Sequence, residues 1–301
     1  MHTRKFFLSL ILIIMPISLL ACQSANGTET ILVTSSPTIP ATIAASPTQP
    51  DAITNTATIA VVPTIIPTSA LTPTPLPIMR HTPPTLMLHR NNANFDSVQF
   101  LKDMIAILKE NNLRVITYRD ITNSPEITVA EQGHLFIITI DDIYLQYPID
   151  LSVKEMIAVL QEAGFPAVLG VVTEGDYIDK ETAQTLKELS AQGWDIATHT
   201  DEHRNLGEME KTMPRTIYLE LKTSMDKIER AIGVRPITLV LPEGQMVTDS
   251  KQLIRAGLLW AVGINGGVQY NTTRDIYYVG REGPDGSAAL TFEFMLKRFN
   301  P

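Results

Sequence analysis

The chain is poor in cysteine, and part of it is poor in aromatic and charged residues. Cys22 is the only cysteine, so no disulfide can form within the molecule. Aromatic residues are absent between Phe7 and Phe95, and from Cys22 to Thr85 the only formal charges are Glu29, Asp51 and Arg80. A stretch of that composition cannot bury enough apolar surface to offset the entropy of ordering it. The apolar run Phe6 to Leu20, interrupted by Ser9, Pro16 and Ser18, is short for a membrane-spanning helix. A net charge of −8, with no basic stripe in the globular part, excludes a nucleic-acid-binding surface. Histidine is also missing after His203, which removes the C-terminal part as a source of an imidazole acid or ligand.

What is present divides the chain into three. Arg4 and Lys5 followed by the apolar run have the layout of a secretory signal. The run ends in Leu19-Leu20-Ala21-Cys22, which looks like a bacterial lipobox, so residues 1–21 are read as a leader removed before an acylated Cys22. Two or more acyl chains suffice for stable anchoring, which places the mature chain on the outer face of a membrane. Residues 22–84, rich in threonine, proline, serine and alanine, are read as a disordered stalk. Extended at roughly 3 Å per residue, it could reach on the order of 100 Å or more. Residues 85–301 have the length of one domain with a sizeable core, expected to be monomeric.

Strand-like and helix-like segments alternate through that domain. The continuous apolar run Leu135 to Ile140 suits a strand buried on both faces. Helical periodicity covers 151–163, 179–192 and 211–232, closed by Gly164, Gly193 and Gly233 in turn. Strands are expected at 165–172, 194–198, 237–241 and 258–264, with a further helix near 249–256. Repeated β-α units imply a parallel sheet with helices outside it, an α/β fold curled into a barrel. In such barrels the chemistry sits at the C-terminal ends of the strands.

Two motifs fall there. Asp141-Asp142 follows the first strong strand, and His199-Thr200-Asp201-Glu202-His203 follows the strand at 194–198. Imidazoles four residues apart can converge on one cation, and one carboxylate completes a His₂Asp set with positions left for water and substrate. A cation there would activate water and polarise an amide or ester carbonyl. The second carboxylate then stands where a general base is needed.

Together these residues resemble the polysaccharide deacetylases (NodB homology, carbohydrate esterase family 4). Thr139-Ile140-Asp141-Asp142-Ile143 is similar to the family's Thr-Phe-Asp-Asp-Gly motif, and His199 to His203 matches its His-Ser/Thr-x-x-His motif, with Asn205-Leu206 also fitting. Pro242-Glu243-Gly244 stands where Pro-Tyr-Gly is common. Leu88-His89-Arg90 and Leu113-Arg114-Val115-Ile116-Thr117 resemble segments of the branch acting on poly-N-acetylglucosamine. The resemblance implies a distorted (β/α)7-type barrel. It implies Asp142, His199 and His203 as ligands of a divalent metal, zinc with cobalt or nickel as alternatives. It implies Asp141 as base and His89 as acid, ahead of His81 and His134. Arg281, in preference to Arg235, would orient Asp141.

The implied partner is an acetylated amino-sugar polysaccharide, with peptidoglycan and xylan as other substrates of the same chemistry. Two departures stand out. Ile143 replaces a glycine and would be strained if its φ were positive. Glu243 replaces a tyrosine whose backbone N–H serves the oxyanion, and its carboxylate could oppose charge developing there or bind substrate hydroxyls. Both favour the alternative of a catalytically silent carbohydrate-binding domain.

Overall fold

The computed structural model describes residues 82–264 and 276–299. The leader, Cys22 and the stalk as far as His81 lie outside the described residues. Thr82, Pro83 and Pro84 are buried, and the Pro84 carbonyl accepts from the Ile137 N–H at 2.9 Å. No helix among the described residues is long and apolar enough to cross a membrane.

The strands are β1 (Thr85–Leu88), β2 (Arg114–Val115), β3 (Leu135–Tyr144), β4 (Val168–Val172), β5 (Asp195–Thr198), β6 (Thr238–Val240), β7 (Trp260–Val262) and β8 (Tyr277–Val279). All pair in parallel in the order β1-β3-β4-β5-β6-β7-β8, with β2 added on β3. The sheet curls until its two edges meet. Beyond β8, Glu282 bridges Leu86 of β1, with Met87 N–H to Glu282 O at 2.8 Å and Glu282 N–H to Thr85 O at 3.0 Å. The expected distorted barrel is therefore present, seven strands around and closed by a seam narrower than a strand.

Helices cover the outside: α1 (Ser97–Glu110), α2 (Tyr118–Asn123), α3 (Ile127–Ala130), α4 (Leu151–Ala163), α5 (Lys180–Ala191), α6 (Leu206–Thr212), α7 (Ile217–Ile232), α8 (Lys251–Ala256) and α9 (Ala288–Phe299). Gly164 and Gly233 close α4 and α7 in the left-handed conformation, as the periodicity predicts. The helix expected over 211–232 is instead broken. Pro214 has no N–H and its ring would clash with the preceding turn, so α6 stops at Thr212 and a short 3₁₀ turn over Pro214–Thr216 leads into α7.

The two-residue repeat of β3 sets the layers. Phe136, Ile138 and Ile140 face the helices with Leu101, Met104 and Leu160. Leu135 and Ile137 face the inside of the curl, where Trp260 lies stacked between Tyr118 and Tyr277, with ring centroids 4.9 and 4.4 Å away. Thr139 and Asp141 continue that inner face upward, so the alternation that buries Ile137 also carries Asp141 into the mouth of the barrel.

Candidate metal centre

Simple alternation would send Asp142 outward among the helices. It does not, because the pairing of β3 with β4 slips between Ile140 and Ile143, a bulge with one extra residue on β3. Asp142 takes that residue's place with φ at 61°. Both carboxylates of the pair consequently reach the same mouth. Ile143 is absent from the positive-φ residues and is buried beyond the bulge, so the strain expected of it falls on Asp142. Aspartate is among the side chains that tolerate this region best. Asp141 and Asp142 lie inside β3 rather than after it, since the strand resumes past the bulge.

The second motif leaves β5 as a tight loop. Its Thr200 and His203 both have positive φ, 67° and 52°. Such residues cost of order 1–3 kcal/mol each and persist only where the surroundings hold them. Here α7 does so through Glu220, Ser224 and Lys227, which share one face at helical spacing. Glu220 Oε1 accepts from the Glu202 N–H at 2.7 Å, and Ser224 Oγ lies 2.8 Å from Thr198 Oγ1. Lys227 Nζ donates to Asp201 Oδ1 at 2.8 Å and to the carbonyls of Thr173 and Gly175 at 3.0 and 2.7 Å.

The result brings Asp142, His199 and His203 together, one ligand atom from each lying within 4.8 Å of the others. The Val240 carbonyl, 2.8 Å from His199 Nδ1, can only accept, so that nitrogen carries the proton and Nε2 presents a lone pair. Nε2 of His199 and of His203 stand 3.3 and 3.1 Å from Asp142 Oδ1, yet that buried oxygen has no partner in hydrogen-bond geometry. Lone pairs converging around an orphaned carboxylate oxygen suit a divalent cation. Burial works to raise the Asp142 pKa, but the imidazoles in their protonated form outweigh it and hold the carboxyl below its ordinary range. Asp142 in turn raises the pKa of His203.

Asp141, 2% exposed, sits beside this triad. Arg281, 1% exposed, donates through Nη1 to Asp141 Oδ1 and to Thr139 Oγ1, both at 2.7 Å, and through Nε to the Gly263 carbonyl at 3.1 Å. The Thr139 hydroxyl passes its own proton to Leu86 O at 3.1 Å. Burial favours the neutral acid, but Arg281 prevails and lowers the Asp141 pKa. Arg281 leaves Asp141 Oδ2 as the oxygen facing the mouth, 3.8 Å from His89 Nε2. His89 is 43% exposed on the rim and lies 3.9 Å from Asp142 Oδ2.

Of the other residues weighed in the sequence, Arg235 pairs with Asp226 and Glu229 on the surface, away from Asp141. His134 is exposed ahead of β3. His81 lies outside the described residues.

These groups line a cleft of about 260 Å³ with Met87, Leu241, Ile264 and Glu243. Glu243, φ 54°, points its carboxylate to Asn205 Nδ2 at 2.7 Å. Gly244 behind it has φ at 64°, and a Cβ there would stand 2.1 Å from Ile264 Cγ1. Only glycine fits, which gives this otherwise weak motif its physical reason. Sequence reasoning did not single out the α7 stripe or the apolar wall. Helical periodicity marks the buried side of α7, and nothing local says what its polar stripe meets.

Residues 129–258 match the family model for polysaccharide deacetylases. That span holds Asp141, Asp142, His199, His203 and Glu243 but neither His89 nor Arg281, which join the centre through the fold alone. No curated protein matches the chain. Among solved structures, the chain resembles the deacetylase PplD of Streptococcus pyogenes in complex with acetate, at 17% identity over 73% of this chain and 98% of that one, TM-score 0.57. It also resembles a de-N-acetylase from Aggregatibacter actinomycetemcomitans, at 16% identity over 71% and 99%, TM-score 0.53. A third is IcaB from Ammonifex degensii, at 18% identity over 71% and 96%, TM-score 0.52. The described domain thus has the NodB-like fold, and over residues 129–258 it is similar in sequence to the polysaccharide deacetylases.

Proposed function

We propose that the protein is a metal-dependent de-N-acetylase acting on polysaccharide that contains N-acetylglucosamine. The observation that carries this reading is the buried Arg281–Asp141 pair set against the Asp142, His199 and His203 triad. A divalent cation held by that triad, zinc or a chemical relative, would supply Lewis acidity, lowering the pKa of a water and polarising an amide carbonyl. Asp141 takes the proton from the attacking water at Oδ2, the oxygen that Arg281 leaves open. Arg281 keeps that carboxylate ionised and fixed in direction. His89, on the rim near Asp141, gives a proton to the departing amine. Met87, Leu241 and Ile264 form an apolar wall suited to the acetyl methyl group. Glu243, tied to Asn205, lines the same cleft and is available to substrate hydroxyls.

The stalk and acylated Cys22 would let this catalyst sweep a surface or biofilm matrix outside the membrane. A Cys22→Ala chain should then leave the membrane fraction; retention there would sink the anchor reading. For the activity, acetate release from N-acetylglucosamine oligomers is measured on the full chain with zinc, cobalt or nickel, against a chelated control. We expect metal-dependent release that His199→Ala abolishes, and that Asp141→Asn abolishes while still binding metal. Absence of release from any acetylated glycan, with a full complement of bound metal, would favour a silent carbohydrate-binding domain.

A further inference from the structure

Asp142 also lines a second hollow, of about 130 Å³, together with Arg90, Tyr144, Tyr147, Pro148 and Ile149. Apart from Asp142, these five have no part in the larger cleft. The hollow is built by the turn that joins β3 to α4, and that turn is braced. Tyr147 N–H donates to Tyr144 O at 3.3 Å, Asp179 N–H to Leu145 O at 2.9 Å, and the Thr182 hydroxyl to Tyr147 O at 2.8 Å. Ile149, 6% exposed, seats the far end of the turn in the core. On this rigid support Tyr147 stands 59% exposed, its ring centroid 6.2 Å from that of Tyr144. The Tyr147 ring thus keeps one contact, with Tyr144, and leaves more than half of its surface to water beside the mouth of the cleft.

The polar side of the hollow is supplied by Arg90. Arg90 follows His89 at the end of β1, and its guanidinium makes no hydrogen bond or ion pair among the described residues. Asp150 also lines the hollow and feels the charge of Arg90, but its Oδ1 is taken up as the cap of α4, accepting from the Ser152 N–H at 2.8 Å and from the Ser152 hydroxyl. Five N–H donors are thus left over beside an aromatic face. A flat apolar surface with donors along one edge fits a sugar ring, whose axial hydrogens form an apolar face and whose oxygens accept at the rim. At about 130 Å³ the hollow falls short of the roughly 300–1,000 Å³ that hold a whole small ligand, so it suits one ring of a longer chain.

We propose that this hollow is a carbohydrate subsite, receiving the pyranose ring next to the one whose acetamide faces the triad, stacked on Tyr147 and hydrogen-bonded by Arg90. The proposal rests on the deacetylase reading and specifies how that enzyme takes a polymer rather than a free sugar. Binding energy gathered there is what positions the acetamide against Asp141.

The test uses the zinc-loaded full chain and N-acetylglucosamine oligomers of one to six rings, with acetate release and calorimetric binding both recorded. We expect kcat/KM to rise with length in the wild-type chain. Tyr147→Ala should cut that rise by about tenfold, the equivalent of one good stacking contact, and Tyr147→Trp should restore it. Arg90→Met, altered on a different element, should lower the same rise. If acetate is released and the rise is missing, or is untouched in Tyr147→Ala and Arg90→Met, the subsite is overturned and the deacetylase stands. If no acetate is released but longer oligomers bind more tightly and Tyr147→Ala removes the gain, the subsite stands and the deacetylase falls. Failure of every oligomer to bind overturns both.

Discussion

At the scale of single residues the centre depends on a charge buried almost completely. Arg281 and Asp141 are 1% and 2% exposed, and each would be an uncompensated charge without the other. Replacing a buried pair by apolar residues is often harmless, whereas removing one partner costs about 3–5 kcal/mol. Arg281→Met should therefore lose about that much in urea unfolding, and adding Asp141→Asn to it should recover part of the loss. A loss under about 1 kcal/mol for Arg281→Met would mean that the pair is not what holds this region. The pH dependence has a definite sign. Burial raises the Asp141 pKa, but Arg281 dominates and sets it below the ordinary value. In the unfolded chain the carboxyl titrates near about 4. Above that value the stabilisation is complete, and it drains away as pH falls toward the lower folded value. Asp141→Asn should accordingly flatten the acid limb of the stability profile.

At the scale of elements, α7 acts as the mould for the His199–His203 loop. Glu220, Ser224 and Lys227 hold a segment in which Thr200 and His203 occupy left-handed backbone. Groups that orient metal ligands in this way are worth 10–100-fold in metal affinity. Lys227→Met and Glu220→Gln should each weaken zinc binding by about that factor in a chelator competition, with far smaller effect on global unfolding. Equal zinc affinity in both variants would show that the loop holds its shape unaided. This is also where sequence and structure part. The strands and the glycine-closed helices were legible because burial imposes periods of two and 3.6 along the chain, and Leu135–Ile140 and 151–163 carry them plainly. The Asp141–Asp142 pair and the histidine loop were legible as motifs at strand ends. The bulge at Asp142 was not, since it arises from the slip of β3 against β4, a partner 28 or 29 residues away. Strain read onto Ile143 belongs one residue earlier for that reason. Pro214 marks the break in the sequence, but apolar periodicity runs on through 211–232 and hides it. The preference for Arg281 over Arg235 rests on the family resemblance alone, since no local pattern announces the seam between β8 and β1 that delivers Arg281 to Asp141. Tyr147 carries no mark in the sequence, because an exposed residue in a turn has no period at all.

At the scale of the whole domain, the centre lies where the curled sheet closes. The triad is drawn from β3 and from the loop after β5, whereas Arg281 arrives from beyond β8 and reaches past β1 to Thr139 and Asp141 on β3. Beside it, the Met87 N–H donates to Glu282 O and the Glu282 N–H to Thr85 O, the backbone hydrogen bonds that join the two edges. A cation that binds only the folded chain stabilises it by mass action, about 2.7 kcal/mol at a hundredfold excess over Kd. For a domain of this size that should raise Tm by roughly 5–10 °C. The seam has few backbone bonds and is the natural place for the barrel to open short of unfolding. Because Asp141 and Asp142 are neighbours on one bulge, fixing Asp142 to a cation also restrains the carboxylate that anchors Arg281. Zinc should therefore slow hydrogen exchange at the Met87 and Glu282 amides more than at amides inside β4 and β5, and His199→Ala should lose both the Tm rise and this protection. Protection spread evenly over the sheet would mean that the cation stabilises the domain without closing the seam. Protection concentrated at Met87 and Glu282 would make barrel closure and assembly of the centre one event.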